Sequence, residues 1–313
     1  MRRTAAADLE GLAELTDRLG RCGDLDEVIT VALDGLSTRF GFDHSLLMML
    51  DETATRLFTI ASHGYDRPGI GSEVGVGVGV IGLVAAQRRT MRVGNLQRML
   101  LYARMAGPAD TDPEREVPLP GLPQAHSQLA VPAMVMGQLL GVLAVESDRL
   151  GAFTAEDELL LAVVAHLAAS AVELDRAGGR AMVTDDAPSA EPPPAAETTP
   201  TPADRVTGIR FFPVDGSTFI DGDYLIKGVP GRILWALLRE HVEDGRSEFT
   251  NREVRLEPSL ELPAFRDNLE SRLILLKRRL DEREAPMRIE KTGWGRFRLA
   301  VEGALRLEHG GAG

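Results

Sequence analysis

The chain has 313 residues, 44% of them hydrophobic, with 47 acidic and 35 basic side chains, a formal net charge of −12 and one cysteine. That length exceeds the roughly 100–200 residues usual for one domain and implies two. The longest apolar run, Leu159–Val172, has fourteen residues, short of the ~20 that cross a bilayer; the lone Cys22 excludes an internal disulfide, and the acidic balance argues against nucleic-acid affinity over the whole surface. No basic start followed by an apolar core occurs at Met1–Asp8, so the cytoplasm is the expected compartment and no membrane partner is expected.

In chain order, Leu9, Leu12, Leu15 and Leu19 recur at helical spacing, and Leu25–Phe40 forms a second helical segment after a Gly23-Asp24 break able to cap it. Ser45–Leu50 and Arg56–Ser62 alternate like strands around the polar turn Asp51–Thr55, which predicts a hairpin. Val80–Gln87 is a short helix and Met91–Val93 a short strand, and Gln128–Met136 with Leu139–Glu146 predicts a second hairpin turning at Gly137-Gln138. Thr154-x-x-Asp157 resembles a capping box ahead of a closing helix with Leu159–Leu174 on its apolar face. This order predicts an α+β fold with one antiparallel sheet flanked by helices.

The run Asp185–Asp204 carries six prolines, five acids and no aromatic or large aliphatic residue, so it cannot bury enough surface to offset its chain entropy. It marks a linker over 181–204. Residues 1–180 hold sixteen arginines, no lysine and twenty-four acids; residues 205–313 hold nineteen bases against eighteen acids and form the only non-acidic segment. There, Ile209–Phe212 and Ser217–Asp221 suggest strands, Gly228–Val242 a helix, and Phe249-Thr250-Asn251 the cap of a short one. Ala264–Arg283 is a long amphipathic helix, Arg288–Lys291 with Gly295–Val301 a hairpin, and 303–313 a tail.

The segments FGFDHSLLMMLDE, GVGVIGLVAAQRRTMRV, SQLAVPAMVMGQLLGVLAVES and GAFTAEDELLLAVVAHLAASAVE together resemble the successive blocks of a GAF domain, over about residues 8–180. The resemblance implies a small-molecule sensory domain that dimerises through its terminal helices, with a pocket between the sheet and a variable loop at about Gly94–Ala125. FRDNLESRLILLKRRLDE and PMRIEKTGWGRFRLAV are similar to the recognition helix and wing of the winged-helix output domain of two-component response regulators, over about 205–302.

Gly77-Val78-Gly79-Val80-Ile81-Gly82 matches a dinucleotide fingerprint in letters, but Tyr102 stands where the acid that would hold a ribose belongs, so the segment is expected to lead into a helix. The histidines show no metal spacing; His166 is expected in the core, and His63 and His126 near the pocket mouth. No catalytic constellation, metal site or particular cofactor is assigned, and an enzyme is not expected. The candidate ligand contacts are Tyr102, Arg104, His126 and Glu146.

On the long helix, Leu269, Leu273, Leu276 and Leu280 make the buried stripe. Arg266, Asn268, Arg272, Lys277 and Arg279 on other faces, with Arg296 and Arg298 on the wing, are the candidate DNA contacts, within a segment 264–298 of ten bases and six acids. Ile274 and Leu275 are expected to face DNA or solvent. The function expected is a dimeric transcriptional regulator in which a small molecule or a partner on the first domain controls DNA binding by the second. The alternative is a scaffold whose winged helix binds protein.

Overall fold

The computed structural model describes residues 4–98, 117–184, 206–260, 269–293 and 295–310. They divide into two compact units, Met1–Asp175 and Arg176–Gly313.

The first unit opens with α1 (Ala5–Leu19) and α2 (Leu25–Phe40). The Asp24 side chain accepts from the Glu27 N–H at the start of α2, and Gly41 ends it with φ 69°, a left-handed cap that glycine adopts without strain. Strands β1 (His44–Leu50) and β2 (Arg56–His63) form the expected hairpin, and β3 (Glu73–Gly75) adds a short edge. Helix α3 (Gly79–Gln87) and β4 (Met91–Val93) follow, then β5 (Ser127–Val135) and β6 (Gln138–Ser147). The β5–β6 turn is Met136-Gly137, one residue earlier than its sequence suggests. Both residues have positive φ, 47° and 75°, the pairing that matches the twist of a two-residue hairpin.

The six strands form one antiparallel sheet in the order β3-β2-β1-β6-β5-β4. Strand β1 is buried on both faces because α2 lies against β1 and β2 while α3 lies against β5 and β6. Leu46, Met48, Leu57, Ala130, Val142 and Ala144 close a core with Val80, Ile81, Val84 and Ala85 of α3. Helix α4 (Ala155–Thr184) begins with a reciprocal cap, since Thr154 N–H donates to Asp157 and Asp157 N–H to Thr154 Oγ1. It extends through residues 181–184, which the composition assigns to the linker.

The glycine run has a structural reason. A Cβ on Gly82 would collide with the Gly75 carbonyl oxygen, and Gly77 N–H donates to Gly82 O at 2.8 Å. Gly77 and Gly79 take φ of 89° and 63°. The glycines therefore let α3 start against the edge strand.

In the second unit, β7 (Val206–Phe212), β8 (Ser217–Ile220) and β9 (Asp223–Ile226) form an antiparallel meander. Helix α5 (Val229–Asp244) starts with Pro230 in its first turn and packs Trp235 flat on Phe211, ring centroids 5.0 Å apart. Strand β10 (Glu248–Thr250) leads into α6 (Asn251–Leu256), whose capping box joins Thr250 and Glu253. Then come α7 (Leu269–Glu282), β11 (Met287–Gly293) and β12 (Arg296–Val301). Strands β10, β12 and β11 form a second antiparallel sheet in that order. Residues 304–309, expected as a tail, are instead β13 (Ala304–His309), parallel to β7, and His309 packs edge-on against Trp235 at 4.8 Å.

Candidate functional site

On the α3 side of the first sheet, the apolar rows end in a polar one. Cross-strand register places His44 of β1 opposite Glu146 of β6, and Glu146 opposite Gln128 of β5. Strand alternation puts all three on the face that carries Leu46, Ala144 and Ala130 two residues further along. Tyr65, just past β2, packs against that same core and meets the His44 ring edge-on, centroids 5.4 Å apart.

Glu146 is 8% exposed and Gln128 6%. One Glu146 oxygen accepts from Gln128 Nε2 at 2.9 Å and the other from the Leu122 N–H at 3.2 Å, which ties segment 117–125 to the sheet. Burial pushes the Glu146 carboxyl above the usual carboxylate range; the bonds from Leu122 and Gln128, the Tyr65 hydroxyl and the nearby His44 pull the other way. The Tyr65 phenol is pushed up by its own burial and by Glu146. Its hydroxyl is buried beside that carboxylate and interacts with it.

Of the four ligand contacts expected from the sequence, only Glu146 falls in this cluster. His126 immediately precedes β5, and its Nδ1 is turned onto the Gln124 carbonyl at 2.7 Å. Tyr102 and Arg104 lie outside the described residues. His44, Tyr65 and Gln128 escape sequence reasoning because strand register brings them together. His63 ends β2, and His166, expected in the core, is exposed on α4 with its ring bonded to the Ala162 carbonyl. Among the described residues no group of three or more potential metal ligands occurs, and no helix is long and apolar enough to cross a membrane.

The candidate DNA contacts fare differently. Arg266 and Asn268 lie outside the described residues. Arg272 is 4% exposed and Arg279 6%, so neither is presented outward as expected. Arg279 donates to the Leu225 carbonyl at 2.8 Å and pairs with Glu282, which makes it a brace between α7 and β9. Ile274 and Leu275 are buried as well, since α7 is lodged among α5, α6, β9 and β11 and keeps little open surface. Lys277 is half-buried. On the wing, Arg296 is exposed, while Arg298 pairs with Glu290 at 2.6 Å and stands opposite Glu248, so acids on both neighbouring strands offset its charge.

A family model described as GAF domain matches residues 22–173. Among solved structures, the GAF domain of a phosphoenolpyruvate-protein phosphotransferase from Acinetobacter is 18% identical with a TM-score of 0.45, covering 57% of this chain and 99% of that one. The corresponding domain from Coxiella burnetii is 20% identical, TM-score 0.46, with coverage of 57% and 99%. A GAF domain from A. aeolicus, in an inactive state, is 18% identical, TM-score 0.40, with coverage of 55% and 99%. No curated protein matches the chain. Residues 22–173 are a GAF domain, a module of signalling and sensing, and the curled antiparallel sheet with flanking helices is its fold.

Proposed function

We propose that this protein is a sensor regulator in which a small molecule or a partner engages the GAF unit and the C-terminal unit, a winged helix, answers by binding DNA. The observation that carries the output half is the element order of 206–310: a β-meander, then α5, β10, α6, α7 and a β11–β12 hairpin that pairs back onto β10. That order supports a three-helix core with a wing, the arrangement in which the third helix enters a major groove. The exposed bases on the hairpin include Arg288, Lys291 and Arg296, suited to phosphate, and Arg298, which is exposed but paired with Glu290.

Because α7 has little open surface, DNA engagement through it requires a second arrangement of this unit that uncovers the helix. A signal acts by favouring that arrangement, to the extent that it binds the two states differently. A homodimer through α1 and α4 belongs to the same reading, supported by Leu9, Leu159 and Leu174, which are 68%, 72% and 73% exposed. The second reading, a scaffold that binds protein, is favoured by the engagement of Arg279 and Arg298 within the fold.

Fluorescence anisotropy of the full chain against a mixed-sequence duplex separates the two. The DNA reading expects binding at about 50 mM salt that weakens steeply by about 200 mM, as counterion release requires. No binding at the lower salt, with cell extract supplying an effector, removes it and leaves the scaffold.

A further inference from the structure

We infer that strand β13 is a self-docking edge: it pairs antiparallel with β13 of a second copy of this chain, in the register centred on Leu307, and so joins two second units through one continuous sheet. This contact is separate from the helix pairing through α1 and α4 and needs no ligand.

Strand β13 ends the order β13-β7-β8-β9, so its outer edge carries backbone groups that no other described strand pairs with. The edge is open to solvent, with Ala304, Arg306 and His309 exposed and Leu305, Leu307 and Glu308 half-buried. On the β7 side, Gly310 N–H donates to the Phe211 carbonyl at 2.7 Å. Successive residues of a strand turn their N–H and C=O to opposite edges. Arg306 and Glu308 therefore share the β7-facing set with Gly310, while Leu305, Leu307 and His309 present theirs to the open edge. Those three are the residues able to exchange ladder hydrogen bonds with a new strand.

Charge on an open edge commonly blocks such pairing; here it selects one register. A two-fold axis through Leu307 sets Leu307 against the partner's Leu307, Leu305 against the partner's His309, and Arg306 against the partner's Glu308, the last two pairings each made twice. The charged pairs fall on the non-hydrogen-bonded rows, where opposing Cα atoms stand ~4.5 Å apart and side chains approach closest. An axis at Arg306 would oppose arginine to arginine, and one at Glu308 acid to acid, which disfavours both neighbouring registers. Within one chain Glu308 meets Arg306 at 2.9 Å and Arg210 at 3.7 Å, and the Arg306 side chain is 70% exposed. Ion pairs so exposed hold little energy, and Glu308 can exchange them for the partner's arginine. Leu305 and Leu307 stand beside Thr207 and Ile209 on the core face, so the leucine pair at the axis would carry that apolar row across the junction. Under the DNA reading, the two-fold also holds two β11–β12 hairpins at a fixed separation, as paired half-sites require.

The test is sedimentation equilibrium of the full chain carrying Leu159→Glu and Leu174→Glu, which place charge in the helix contact, from about 1 to about 200 μM, a range suited to a small interface. A monomer–dimer equilibrium is expected to remain. Arg306→Glu and Glu308→Arg, each of which creates two like-charge pairs, should each weaken it at least about fivefold, and the two together should restore it to within about twofold. Should a reversal fail to fold by circular dichroism, Leu307→Lys, which sets a charge against its own copy at the axis, carries the test and must weaken association likewise. A monomer at every concentration overturns the edge contact, as does association that the reversals leave unchanged or that the double reversal does not restore. Dimerisation of the wild type that disappears in Leu159→Glu/Leu174→Glu belongs to α1 and α4, and leaves the helix contact standing without the edge.

Discussion

At the scale of single residues, the chemistry lies in side chains that the fold has removed from water. Glu146 holds its proton more tightly folded than unfolded, because burial disfavours its charge. The folded state therefore binds more protons than the unfolded one between the two proton affinities, and this group's contribution to stability is lost as pH rises through that interval. Glu146→Gln removes the titration while keeping the shape. Its melting temperature relative to wild type is expected to improve from about pH 4 to pH 8, and a constant difference in a thermal melt series would show that Glu146 does not titrate differently on folding. Gly82 makes a second test: alanine there meets a backbone carbonyl rather than a flexible side chain, so Gly82→Ala should cost about 1–3 kcal/mol in denaturant titration. The glycine motif is plain in the sequence, and its lack of an acid partner speaks against a nucleotide. The His44–Glu146–Gln128 row is not legible there, because cross-strand neighbours are set by register, and only Glu146 among them stands out, at a predicted strand end.

At the scale of elements, periodicity carries far where one face is apolar. The two long hairpins, α2, α3 and the capped starts of α4 and α6 are visible in alternation, helical spacing and capping residues. The short β3, β9 and β10 are not read from the sequence, although the equally short β4 and β8 are. β13 escapes because LRLEH mixes charge into an edge strand whose pairing with β7 is remote in sequence. α7 illustrates the opposite difficulty. Its leucine stripe, Leu269, Leu273, Leu276 and Leu280, is buried as the spacing predicts, but Arg272 and Arg279 on its other faces are buried too. The fold instead braces the helix with charge: Arg255 of α6 grips both oxygens of Glu270 at 2.6 and 2.7 Å, and Asn251 adds a third bond. Arg255 and Glu270 are 8% and 14% exposed at the side chain. Glu270→Ala leaves a buried cation facing alanine and should cost about 3 kcal/mol in chemical denaturation. Arg279→Ala is likewise expected to lower the stability of the second unit, through its lost bond to Leu225, rather than to weaken DNA binding alone. Unchanged stability in either variant would show that these pairs are replaceable by solvent.

At the scale of the whole molecule, composition by itself separates the parts. Residues 1–180 are strongly acidic and lysine-free, the proline-rich run follows, and residues 205–313 are nearly neutral. Each unit has its own core: the sheet with α2 and α3 in the first, and the Phe211–Trp235 stack with Leu234, Leu238, Leu269, Leu276 and Leu280 in the second. A sensor that commands an output needs such separable bodies, since a signal can redistribute arrangements only between parts that hold their own structure. The most direct measurement is calorimetry of two fragments, 1–180 and 205–313, beside the full chain. Each fragment is expected to melt in one cooperative transition. An unfolded fragment, from a full chain that melts as a single unit, would contradict the division into two units that each hold their own structure.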